Sequence, residues 1–182
     1  MRLATYNVEW FANLFDDEDQ LLADGGWSGR HDVTRQDQAE AIAVVLTAID
    51  ADAVMIIEAP NSGRRQSTVR ALENFAKTYG LRQHSAVMGF ANETQQEIAL
   101  LYDPYKLDAW HDPRGDFAAP RDGDEPPRFD GVFHIDLDID ATEDHVRFSK
   151  PPLELMIRTT SGTEFRMIGA HLKSKAPYGA RG

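Results

Sequence analysis

The sequence predicts an α/β fold on three observations. An extended apolar segment followed by an amphipathic helix occurs twice within the first 80 residues, and the later part of the chain alternates apolar and polar residues as strands do. Arg2 to Val8 is the first extended segment, with Leu3 and Ala4 available for burial and Asn7 near its end. A polar loop holding Gly25, Gly26 and Gly29 follows, which disfavours long regular structure there. Thr34 and Asp37 are spaced as a capping box, each side chain reaching an exposed amide at a helix start. From there the helix is expected to run to about Ile49, placing Ala39, Ile42, Leu46 and Ile49 on one face with Val45 beside them.

Asp52 introduces the apolar run Ala53, Val54, Met55, Ile56 and Ile57, a buried strand ended by Glu58 and broken by Pro60. A second amphipathic helix carries Val69, Leu72, Phe75, Ala76 and Tyr79 and stops at Gly80. Ile98 to Tyr102 is a further strand, halted by Asp103 and Pro104. The Pro, Asp, Gly and Arg content of Trp110 to Asp130 predicts a surface loop, most clearly over residues 112–130. Phe133 to Asp140 alternates as a half-exposed strand with a carboxylate-bearing face. Pro152 to Thr159 and Glu164 to Leu172 flank Ser161 and Gly162 as a hairpin.

Composition narrows the function classes. Thirty acidic residues against 19 basic ones give a net charge of -11, which disfavours long-range attraction to a nucleic-acid backbone; a bound cation can invert that field locally. The acidic runs Asp16 to Asp19 and Asp108 to Asp144 read as solvated surface. With no cysteine, a metal must be held by oxygen or imidazole. No apolar run reaches the roughly 20 residues of a membrane span, and the polar start does not read as a signal peptide, so no membrane insertion and a cytoplasmic address are expected.

Five short motifs at strand ends carry a resemblance: Ala4-Thr5-Tyr6-Asn7-Val8-Glu9, Asp52 to Glu58, Glu97 to Tyr102, Phe148 to Leu153, and Gly169-Ala170-His171-Leu172-Lys173-Ser174-Lys175. Together they resemble the endonuclease/exonuclease/phosphatase superfamily, which includes deoxyribonuclease I. That resemblance implies a four-layer αββα sandwich, of which residues 1–182 form the amino-terminal half of one catalytic domain, with the second half missing. It implies metal-dependent hydrolysis of phosphoester bonds by the complete parent protein, as a nuclease or phosphodiesterase acting on a phosphoester such as DNA or RNA. An inositol- or lipid-phosphate phosphatase, or a noncatalytic binding or structural relative, is the alternative. Arg64, Arg65 and Arg70, near the loop after Glu58, are available to any polyanion.

By the same resemblance Glu58 binds the catalytic Mg2+ or Mn2+, and the residue itself agrees: a hard cation prefers oxygen, and a carboxylate closing a buried strand needs solvent, a partner or a metal. The plain alternative is a strand-end surface Glu. Asn7 matches an asparagine beside metal and scissile phosphate; otherwise it is a cap for the following loop. His171 matches the first of two histidines around the phosphate, as hydrogen-bond donor or imidazolium. His31, His84, His111, His134 and His145 show no such pattern. Lys173 and Lys175 would form a cationic rim for substrate phosphate, or simply solvate a loop. Glu9, Glu97, Tyr102 and Lys150 receive no catalytic role, although Glu97 is placed near the cleft.

No Gly-Asp-x-Asn motif and no Ser-Asp-His ending follow His171, so the water-activating carboxylate and the second histidine of the resemblance have no counterpart here. The isolated chain is therefore expected to be inactive. Residues 174–182 read as an exposed loop, with the carboxy-terminal half present as a covalent continuation or a separate fragment. Without that half, the inner face of the first sheet is expected to expose apolar surface.

Overall fold

The computed structural model describes residues 1–92, 95–117, 126–135 and 144–172. Among these described residues, nine strands and two α-helices are ordered β1 (Leu3–Asn7), α1 (Arg35–Ile49), β2 (Ala53–Ala59), α2 (Thr68–Thr78), β3 (Ser85–Met88), β4 (Glu97–Tyr102), β5 (Leu107–His111), β6 (Phe133–Ile135), β7 (Asp144–Val146), β8 (Leu153–Thr159) and β9 (Glu164–Gly169). The first sheet has the order β1-β2-β4-β3 and the second β5-β8-β9, while β6 and β7 form a separate pair. Strand β1 runs parallel to β2, which the intervening helix α1 permits, and the remaining pairs in these sheets are antiparallel.

Helix α1 starts as its sequence dictates. Thr34 accepts from the Asp37 amide through Oγ1 at 3.1 Å, and the Asp37 carboxylate reaches back to the Thr34 amide. Ala39, Ile42, Ala43 and Leu46 are buried, whereas Val44 on the opposite face is exposed. Helix α2 ends at Gly80, whose φ of 62° suits glycine; its amide donates to Lys77 O and that of Leu81 to Ala76 O, satisfying two terminal carbonyls.

The core has two parts, one on each face of the first sheet. On one face, Val54 and Ile56 of β2 and Ala99 and Leu101 of β4 pack with Leu46, Leu72 and Phe75 of the helices. On the other, Met55, Ile57, Ile98 and Leu100 meet Leu107, Leu155 and Ile157 of the second sheet. The alternation of side chains along β2 and β4 thus feeds both cores, which explains why these strands are apolar at nearly every position. The described residues form a mixed α/β arrangement of helices, sheet and sheet. The expected bare inner face is not observed: β5, β8 and β9 of the same chain cover it.

Several expectations need correction. Leu3 is exposed, because Ala4 and Tyr6 take the inward positions of β1. Trp110 belongs to β5 rather than to a loop, since Leu107 and Ala109 alternate inward while pairing with β8. Residues 112–117 and 126–130 contain one isolated bridge, Asp116 to Pro127, and no strand. Of the alternating segment from Phe133 to Asp140, the described portion Phe133–Ile135 is strand, paired with β7. Asp19 is not solvated surface: it is 2% exposed, accepts from the Ser67 amide at 3.0 Å, and pairs with Arg70 at 2.6 Å. Arg70 is thereby tied to Asp19, while its side chain stays 56% exposed. No helix among the described residues is long and apolar enough to cross a membrane.

Candidate functional site

Strand pairing brings residues far apart in sequence to one end of the molecule. The parallel register of β1 on β2 sets Asn7 beside Ile57, and the Val8 amide continues the ladder to Ile57 O at 2.9 Å. Immediately beyond, β2 bulges. Ile57 faces Ile98 and Ala59 faces Glu97, leaving Glu58 as the extra residue with φ 62°. A bulge of this kind re-aims a side chain, and here it turns Glu58 out of a strand that is otherwise inside the core. A left-handed, non-glycine conformation is maintained against an intrinsic penalty of about 1–2 kcal/mol.

Three side chains meet the Glu58 carboxylate. Asn7 donates through Nδ2 to Oε1 at 3.3 Å, and Gln96 through Nε2 to Oε2 at 2.9 Å. His171, two residues beyond β9, places Nε2 3.6 Å from Oε1. Lys150, just before β8, donates through Nζ to the Gln95 carbonyl at 2.7 Å and to Gln96 Oε1 at 3.2 Å. The site is thus assembled from both sheets: Asn7, Glu58 and Gln96 from the first, and Lys150 and His171 from the second.

Burial shapes its charge. The Glu58 and His171 side chains are 15% and 17% exposed. Desolvation, reinforced by the Lys150 cation and opposed by Glu58, lowers the His171 pKa below 6.5, so its ring is neutral at pH 7. Desolvation also lowers Lys150, against the opposing charges of Glu58 and Glu97.

A cleft of about 280 Å3 adjoins the carboxylate, with Trp10, Asn13, Asn61, Gln95 and Gln96 around it. Four residues on its lining, Trp10, Glu58, Gln95 and Gln96, have left-handed backbones with φ between 62° and 65°. Such conformations persist in non-glycine residues where surrounding structure holds them, and they gather at ligand sites.

Other expected residues fall elsewhere. Glu9, assigned no catalytic role, pairs with Arg30 at 3.0 Å. Glu97 is buried behind the site, where Oε2 accepts from Asn92 Nδ2 at 2.7 Å and desolvation raises its pKa. Gln96, which sequence reasoning did not single out, occupies the position expected of Glu97; the bulge at Glu58 shifts which residue faces the cleft. Tyr102 completes the core between the sheets. Lys173, Lys175 and the segment 174–182 lie outside the described residues.

Among the described residues, no three His, Asp or Glu side chains converge as a metal cage. The donor set around Glu58 is one carboxylate with neighbouring amides, which suits a hard ion that keeps several waters and takes one or two protein carboxylates, as Mg2+ does. It does not suit a closed tetrahedral zinc site. No protein-family model, curated protein or solved structure matches the chain.

Proposed function

We propose that this chain supplies one side of the active site of a Mg2+- or Mn2+-dependent phosphoester hydrolase of the endonuclease/exonuclease/phosphatase type, acting as a nuclease or phosphodiesterase. The observation that carries the reading is the bulged Glu58, turned out of a buried strand and met by Asn7, Gln96 and His171. Glu58 is the residue that would hold the ion. When bound, the ion supplies Lewis-acid stabilisation of negative charge on phosphate oxygens.

The chain's own side chains account for binding and orientation. The Asn7 amide is placed to donate to a phosphate oxygen once it exchanges the long 3.3 Å bond to Glu58 for substrate. His171, neutral because burial and Lys150 disfavour its protonation, offers a ring N–H to a nonbridging oxygen without adding a full charge. Lys150 sets the cationic character of the same rim while fixing the Gln95 and Gln96 backbone. Lys173 and Lys175 are proposed to extend that rim.

In-line attack needs a base within hydrogen-bond reach of the water, and among the described residues Glu58 is the one carboxylate on the cleft lining. The base is accordingly assigned to a carboxy-terminal half of the parent protein, and the 182-residue chain by itself is expected to be inactive. The decisive experiment is Glu58→Gln in the complete protein, with Mn2+ affinity followed by calorimetry and turnover measured on DNA, RNA and small phosphoesters side by side. A loss of both affinity and turnover is expected; wild-type values for both would refute the assignment. Preferential turnover of an inositol or lipid phosphate would replace the nuclease reading with a phosphatase one.

A further inference from the structure

The cleft beside Glu58 carries information about what is attached to the phosphate. We infer that it is a subsite for a nucleobase, joined through its sugar to the phosphoester at Glu58. This inference rests on the phosphoester reading above and narrows it.

Three features of the cleft point the same way. Its volume, about 280 Å3, lies near the lower end of small-ligand pockets, roughly 300 Å3, and suits one ring system rather than a polymer. Its described lining contains no Lys or Arg, and the cation beside it, Lys150, is already bonded to the Gln95 carbonyl and to Gln96 Oε1, so a second phosphate would enter beside the Glu58 carboxylate with little free countercharge. That argues against a polyphosphorylated ring. What the lining does present is an indole, Trp10, 44% exposed, together with the neutral amides of Asn13, Asn61 and Gln95. A planar group that stacks on an aromatic face and offers both donors and acceptors at its edge matches this surface.

The placement of Trp10 is built into the backbone. Its φ of 63° is a costly choice for a bulky side chain, yet its carbonyl is used, accepting from the Asn13 amide at 3.1 Å. Gly29, with φ 112°, packs close behind: a Cβ there would meet Asn13 Nδ2 at 2.5 Å and Trp10 Cγ at 3.4 Å. One glycine therefore backs both the stacking residue and the first amide. Truncating Trp10 removes a half-exposed ring and leaves the core intact.

The test is calorimetric titration of the full protein in Mg2+ with deoxyadenosine 5′-monophosphate and with 1,2-dideoxyribose 5-phosphate, which has hydrogen in place of the base. The nucleotide is expected to bind at least tenfold more tightly. Trp10→Ala should bring that ratio toward one, Trp10→Phe should retain most of it, and Asn13→Ala should reduce it, serving also as the deciding variant if Trp10→Ala does not fold. Equal affinity for the two ligands, binding of neither, or a ratio undiminished by these truncations would overturn the inference. A base preference carried by Trp10 without metal-dependent hydrolysis would sink the hydrolase reading alone. Equal kcat/KM for nucleoside and methyl diesters would sink the subsite alone.

Discussion

If Glu58 is held in the left-handed region by the bulge, replacing it should reveal a backbone term that is separate from its side chain. Glu58→Ala and Glu58→Gly both lose the bonds from Asn7 and Gln96 and the approach of His171. They differ in the Cβ. At φ 62°, alanine keeps a penalty of about 1–2 kcal/mol that glycine lacks, while the greater freedom of glycine in the unfolded chain returns about 0.4–1 kcal/mol. The glycine variant should therefore be the more stable by about 1 kcal/mol. For a chain of this size that is a difference of about 2–4 °C in Tm. Urea titration followed by circular dichroism, with thermal melts of the same two proteins, measures it. An alanine variant as stable as the glycine variant, or more so, would mean that Glu58 is not on a left-handed bulge, and the reason for its exit from the strand would fall with it.

Asp19→Ala should cost about 1–3 kcal/mol in urea unfolding, because the Ser67 amide loses its acceptor at the start of α2; the half-exposed Arg70 can return to water and adds little. Asp19→Asn should recover part of the loss. Gly169→Val should destabilise by about 1–3 kcal/mol, since a Cβ there would meet Met55 Sδ at 2.6 Å and Ile98 Cγ2 at 3.1 Å where the two sheets close. Burial depresses His111 and, with Lys150, His171 below 6.5, so the unfolded chain binds more protons. Their contribution to stability is present above pH 6.5 and lost as pH falls through the folded values. Stability measured from pH 7 downward should fall, and less steeply in His111→Phe; an unchanged slope would contradict the burial of that ring.

The elements that local chemistry dictates were legible in the sequence. The Thr34 and Asp37 spacing, the apolar run Ala53 to Ile57, the stop at Gly80 and the turn at Ser161 and Gly162 each combine a pattern with a residue that ends it. Strands β3 and β5 were not legible, because Ser85–Met88 and Leu107–His111 are short and acquire strand structure from pairing with β4 and β8. The burial of Asp19 was hidden for the same reason: its partners, Ser67 and Arg70, lie about 50 residues away. At the site, Glu58, Asn7 and His171 were named from motif positions and the fold brings them together. The identity of Gln96 depended on a bulge that leaves no mark in composition or period.

Asn7 sits on β1, a five-residue strand at the margin of its sheet that pairs, among the described residues, with β2 alone. Outer strands of this length open by local fluctuation well before a domain unfolds as a whole. Detachment of β1 would carry Asn7 away from Glu58 while the two-sided core of β2 and β4 remained closed. The site should therefore have a lower thermal ceiling than the fold that bears it. Deuterium uptake at the Tyr6 and Val8 amides, rather than the melting of the whole chain, should mark the temperature at which competence is lost.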